Sequence, residues 1–217
     1  RHRGVSFGAV RPVSAEVVFN TGMVGYPEML TDPSYTGEII VCTYPMIGNY
    51  GVPEPIVEDG ILRRFESERI HASGLIVAQS CDDPSHWNGP RSLGRWLREE
   101  GIPAVTGIDT RALTKRLREK GAMTGMIRFE GEDEPDMRDP FTRDLVAGVT
   151  IDEPELYGKG DTRIALIDCG TKLNILRSLV ARGVEVLRVP VDHDVSEETL
   201  DGVVISNGPG DPAMVEG

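Results

Sequence analysis

From Thr162 onward the chain alternates strand-like and helix-like runs, and this rhythm restricts its fold more than any other feature. Arg163–Asp168 is a compact apolar run. Lys172–Arg182 sets Leu173, Leu176 and Val180 on one helical stripe, beside Ile175 and Leu179. Glu185–Val191 is a second strand-like run and Gly202–Ser206 a third. Strands interleaved with a helix predict a parallel, doubly wound α/β sheet. Three strands and one helix leave both faces of such a sheet uncovered. Residues 162–217 are therefore expected to be the incomplete start of a larger α/β domain.

Residues 1–130 read differently. Short apolar segments at Glu16–Phe19, Glu38–Thr43, Gly74–Ala78 and Ala104–Ile108 alternate with turn clusters such as Thr31-Asp32-Pro33-Ser34. Two later helices are expected, one over Leu93–Glu100 ending at Gly101. The other follows an Asp109 N-cap, with Ala112, Leu113 and Leu117 on one face and Gly121 as its stop. This is a β-rich α+β pattern. Residues 131–161 read as an acidic linker with Pro135, Pro140 and Pro154, in which Phe141, Leu145 and Val146 are candidates for packing on a neighbouring surface.

The net charge of −12 disfavours nucleic-acid backbones and anionic membrane surfaces as partners. Most of it is local, since Glu130–Asp161 holds eleven acidic against three basic residues. Cys42, Cys81 and Cys169 are few, odd in number and far apart, which favours free thiols and a cytoplasmic location. No apolar run reaches the ~20 residues of a membrane helix, and no signal-peptide pattern opens the chain. A start at Arg1 rather than Met suggests a lost or processed N-terminus.

The segment Ile205-Ser206-Asn207-Gly208-Pro209-Gly210-Asp211-Pro212 holds the strongest chemical signal of the second half. It lies at the carboxyl end of a parallel strand, where open α/β sheets bind ligands. Two glycines around a proline give a rigid turn without side chains, so backbone N–H groups can approach a substrate and serve a developing oxyanion. An ordinary strand-to-helix turn is the plain alternative. Gly208-x-Gly210-x-x-Ala213 superficially fits a dinucleotide fingerprint, but it follows the third strand, and Pro209 and Pro212 remove two amides. Cys169 sits between a strand and a helix without a Gly-x-Cys-x-Gly elbow, which suits a small packed residue better than a nucleophile. His2, His71, His86 and His193 show no metal spacing, and no metal site is expected.

The block from Asn20 through Thr21-Gly22-Met23-Val24-Gly25-Tyr26-Pro27-Glu28-Met29-Leu30-Thr31-Asp32-Pro33-Ser34 to Tyr35 resembles the N-terminal domain of the carbamoyl-phosphate synthase small subunit. So do Thr43–Gly51, Ile108–Thr114, Leu117–Ala122, Asn174–Arg177 and Ser206–Pro212. The first block is specific to that family, whereas the Gly-Pro-Gly turn is shared with other class I glutamine amidotransferases.

The resemblance implies a subunit whose N-terminal domain docks on a large synthetase subunit and whose amidotransferase domain hydrolyses L-glutamine. The ammonia released would serve carbamoyl phosphate synthesis for arginine or pyrimidine pathways. By position, Ser34 would hydrogen-bond glutamine from the N-terminal domain, with Gly208 and Gly210 binding it from the other side. The family's nucleophilic cysteine and its His-x-Glu partners are expected beyond Gly217, so residues 1–217 alone are expected to be inactive. No cofactor is expected in this chain; ATP and a metal ion would belong to the large subunit. Two readings compete: another class I amidotransferase, against which the Asn20–Tyr35 block argues, and a non-catalytic docking or scaffold protein.

Overall fold

The computed structural model describes the chain except for residues 85–88, 134, 137–142 and 216–217. Expectations for His86, Pro140, Phe141 and Gly217 therefore fall outside the described residues. The molecule is mixed α/β and divides into two compact units. One holds residues 1–31, 35–54 and 69–140, the other residues 32–34, 55–68 and 141–217.

In chain order the first unit contributes β1 (Val5–Ser6), β2 (Val13–Asn20), α1 (Tyr26–Thr31), β3 (Glu38–Cys42) and β4 (Met46–Ile47). The hairpin β5 (Ile56–Glu58) and β6 (Ile61–Arg63) belongs to the second unit. The first unit resumes with β7 (Gly74–Ile76), β8 (Gln79–Ser80), α2 (Leu93–Glu99), β9 (Ala104–Thr106), α3 (Thr110–Lys120) and β10 (Met123–Ile127). Its sheet runs β1-β9-β7-β3-β2-β10. The four inner strands are mutually parallel, and β1 and β10 close the edges antiparallel. Ile39, Ile40 and Val41 are fully buried in β3, as suits an inner strand of a parallel ladder covered on both faces. Against one face, Leu117 and Leu113 of α3 join Ala15, Val17, Ile39, Val41 and Ile127.

The second unit adds β11 (Glu155–Tyr157), β12 (Thr162–Asp168), α4 (Leu173–Val180), β13 (Val184–Pro190) and β14 (Gly202–Ile205). The sheet order is β11-β13-β12-β14. β12 is parallel to both β13 and β14, as the βαβ rhythm predicts. β11 falls within the stretch read as a linker and pairs antiparallel with β13. Three residues with an exposed Leu156 carry too little alternation to announce an edge strand. In the same stretch Val146 is buried and Leu145 half-buried.

The core of this unit joins Leu166, Leu173, Leu176 and Val186 to Ile61 of the hairpin. Arg177 ties the hairpin segment to α4. It donates to the carbonyls of Leu62 (2.7 Å) and Phe65 (2.9 Å) and pairs with Glu66 at 2.9 Å. Lys172, at the N-cap of α4, makes no side-chain cap. Glu66 takes over that task. Its carbonyl accepts from the Leu173 amide at 3.0 Å and its carboxylate from the Asn174 amide at 2.8 Å. Two orphan amides are satisfied in this way, with an anion at the positive end of the helix.

Candidate functional site

Within the second unit, β12 and β14 end side by side, and the loops that follow them carry the candidate residues. The Ser206 amide donates to the Ile167 carbonyl at 3.1 Å and extends the pairing by one residue. The Ser206 hydroxyl accepts from the Cys169 amide at 3.0 Å and donates to the Asn207 carbonyl at 2.7 Å. The loop after β14 is thereby fastened to the loop after β12.

Ser34 reaches this place through the short 32–34 segment, which clusters with the second unit although the sequence groups it with the first domain. The Asn207 side-chain amide donates to Ser34 Oγ at 2.7 Å. The Ser34 amide donates to Asp32 Oδ1 at 3.0 Å, while Asp32 Oδ2 pairs with Lys172 Nζ at 2.7 Å. Pro33 and Pro209 both flank Gly170. Residues distant in sequence thus meet through an unbroken chain: Lys172, Asp32, Ser34, Asn207.

Gly208 is exposed and packs so closely on Cys169 that a Cβ would collide with that residue's carbonyl oxygen. The constraint there is proximity, since the Gly208 φ lies outside the left-handed region. At Gly210, φ is +75°, so the turn needs a glycine for its conformation. Pro209 between them is buried. Beyond the turn, Pro212–Met214 forms a 3₁₀ turn capped by Asp211.

Asp168, fully buried at the end of β12, supports this framework. One carboxylate oxygen accepts from the Gly170 (3.0 Å) and Thr171 (2.6 Å) amides. The other accepts from the Ile151 amide at 3.0 Å and pairs with Arg188 at 2.8 Å. A buried pair of this kind is retained for geometry more than for net stability. Here it fixes the loop through Cys169.

The surroundings of Cys169 disfavour its thiolate. Burial, followed by the neighbouring Asp168 charge, pushes its pKa up, whereas a nucleophile requires the thiolate. Cys42 is buried in β3 and its thiol is pushed up to about 12 by desolvation. Cys81 is half-buried just past β8. His71 is engaged with the Thr36 hydroxyl at 3.1 Å, and no group of three metal-ligating side chains occurs among the described residues. No helix among the described residues is long and apolar enough to cross a membrane.

Sequence reasoning singled out Ser34, Gly208 and Gly210 but missed Asp32, Lys172, Asn207 and Asp168. Asn207 lies within the turn it had marked. Asp32, Lys172 and Asp168 had only their positions beside turns to distinguish them from solvated charges.

Comparison with known proteins gives two family matches. The model for the carbamoyl-phosphate synthase small chain, CPSase domain, matches residues 1–127. The model for class-I glutamine amidotransferases matches residues 165–217. Multifunctional protein CAD of Squalus acanthias is 50% identical over 214 residues, covering 97% of this chain and 10% of that protein. The mitochondrial ammonia-type carbamoyl-phosphate synthase of Homo sapiens is 46% identical over 217 residues, covering 99% of this chain and 14% of that protein. The chain therefore spans only 10–14% of the length of these relatives.

Proposed function

Since this chain belongs to the carbamoyl-phosphate synthase small-chain family, we propose that it forms part of the glutamine-hydrolysing side of a glutamine-dependent carbamoyl-phosphate synthase. In this reading Ser34 and the Gly208-Pro209-Gly210 turn bind L-glutamine. A cysteine outside residues 1–217 attacks the side-chain amide carbon. The C–N bond breaks, ammonia leaves with a proton from an acid partner, and water cleaves the resulting thioester to glutamate. The Gly208 amide is suited to the oxyanion of the tetrahedral intermediate, an interaction made only as charge develops. Ammonia then passes to a synthetase part that holds ATP and its metal ion. We propose a cytoplasmic location on the evidence of the three separated cysteines.

The observation that best supports the reading is the Asn207–Ser34 hydrogen bond. It joins two segments proposed to touch the same substrate. The test uses the full-length protein, comparing carbamoyl phosphate formation from glutamine and from ammonia. Ser34→Ala is expected to raise the KM for glutamine about fivefold or more, the equivalent of one lost hydrogen bond of roughly 1 kcal/mol, while ammonia-dependent synthesis is kept. Wild-type protein that uses ammonia but never glutamine would defeat the proposal. So would a Ser34→Ala variant with unchanged glutamine kinetics.

A further inference from the structure

Within the first unit, α3 borders an open cleft of about 580 Å³ whose floor includes Pro45, Ala78 and Ile108. Arg111, Lys115 and Arg118 line it from the helix. They stand at i, i+4 and i+7, on one face. All three side chains are exposed, and among the described residues none has a carboxylate within ion-pair distance. Three bare cations on one helix face are a local reversal in a chain whose net charge is −12. Arg111 also lies in the first turn, where the helix dipole opposes a positive charge. Folding does not require that arrangement.

We infer that this cleft seats an acidic protein segment from outside residues 1–217. The charge pattern favours an extended partner over a small anion. The Ala112 amide in the first turn already donates to the Asp109 carboxylate at 2.9 Å, so the helix N-terminus presents a negative group where a phosphate would settle. The cations extend instead along the helix, over about 10 Å at the usual rise. Carboxylates spaced along a facing segment match that extent, and a single phosphate does not. Identifying the bearer as the synthetase part rests on the proposed function; the docking chemistry does not.

The test is zero-length carbodiimide cross-linking of the full-length protein, with the linked peptides read by mass spectrometry. Lys115 is expected to join an Asp or Glu outside residues 1–217, with a yield that falls several-fold between low salt and roughly 0.5 M salt. The double variant Arg111→Glu, Arg118→Glu changes exposed residues, so the thermal midpoint is expected to hold while the cross-link disappears. Absence of the link in the wild type would overturn the inference, as would a partner within residues 1–217 or persistence in the charge-reversed variant. Loss of the link to inorganic phosphate at constant ionic strength would assign the cleft to a small anion instead and equally overturn it. Glutamine hydrolysis by the same preparation is scored separately, so failure of the catalytic reading leaves the docking result interpretable.

Discussion

Asn207 donates from its side-chain amide to the hydroxyl oxygen of Ser34 across 2.7 Å, and 173 residues of chain separate the two. The amide holds the Ser34 oxygen in one rotamer and leaves its proton free to point towards a ligand. Asn207 is thus a positioning residue for the proposed glutamine site. In the full-length protein, Asn207→Ala is expected to raise the KM for glutamine three- to tenfold, on the order of 1 kcal/mol, with ammonia-dependent synthesis unaffected. Equal loss with both nitrogen sources would show that the substitution damages the fold and not the glutamine site.

The two glycines of the turn should respond unequally. Gly208→Ala drives a methyl group into the Cys169 carbonyl oxygen, and two fastened loops must separate to admit it. A loss of about 1–3 kcal/mol is expected from such overpacking, together with a sharp fall in glutamine turnover. Gly210→Ala has van der Waals room beside Leu145 and faces only the strain of φ +75°, about 1 kcal/mol. Thermal unfolding of the full-length variants ranks them. A Gly210→Ala variant less stable than Gly208→Ala would contradict this account.

Arg177 and Glu66 form the polar joint between hairpin and helix, with side chains 11% and 12% exposed. Removing the cation strands a carboxylate that also serves the amide of Asn174. Arg177→Met is expected to cost about 3–5 kcal/mol, and adding Glu66→Gln should recover part of it by removing the orphaned charge. The check is a double-mutant comparison of denaturation midpoints. No recovery would mean that the joint is held by the Arg177 bonds to the Leu62 and Phe65 carbonyls instead.

Much of this architecture is legible in the residues. Asp109 and Gly121 bracket α3 as its capping chemistry demands, and the apolar runs from Thr162 onward become the strands of a parallel sheet. Helix α1 was not legible. It spans six residues with Pro27 in second place, and it is held by stacking of Tyr26 on Tyr50, with centroids 4.2 Å apart, and by a 2.6 Å bond from the Tyr26 hydroxyl to Gly51. Those forces come from residues distant in sequence, which no local periodicity records. The candidate site was half legible for the same reason. Gly208 and Gly210 declare themselves through backbone demands, whereas Asp32, Lys172 and Asn207 acquire their roles only when separate loops meet.

Alkaline pH should destabilise the protein, and the sign follows from its buried acids. Burial pushes the Cys42 thiol from the ordinary 9.0 up to about 12. Desolvation, followed by the hydrogen bond to Glu155, pushes the Tyr157 phenol from 10.0 to about 12. Tyr26 and Tyr50 are raised as well, in both cases chiefly by burial. The folded state therefore holds these protons more tightly than the unfolded state. Their contribution is fully present below the unfolded values and is lost as pH rises through the folded ones. The unfolding midpoint is expected to stay level to about pH 9 and then fall steadily towards pH 12. Cys42→Ala removes one titrating group, so the slope should flatten over that window even though the small cavity lowers stability at every pH. The same shift predicts slow chemistry: at pH 8 the Cys42 thiolate is roughly a thousandfold scarcer than for an unperturbed thiol. Iodoacetamide should then modify Cys42 only after denaturation. Alkylation of native protein at Cys42 at the rate of a free thiol, or an unchanged slope in Cys42→Ala, would show that burial does not control this group.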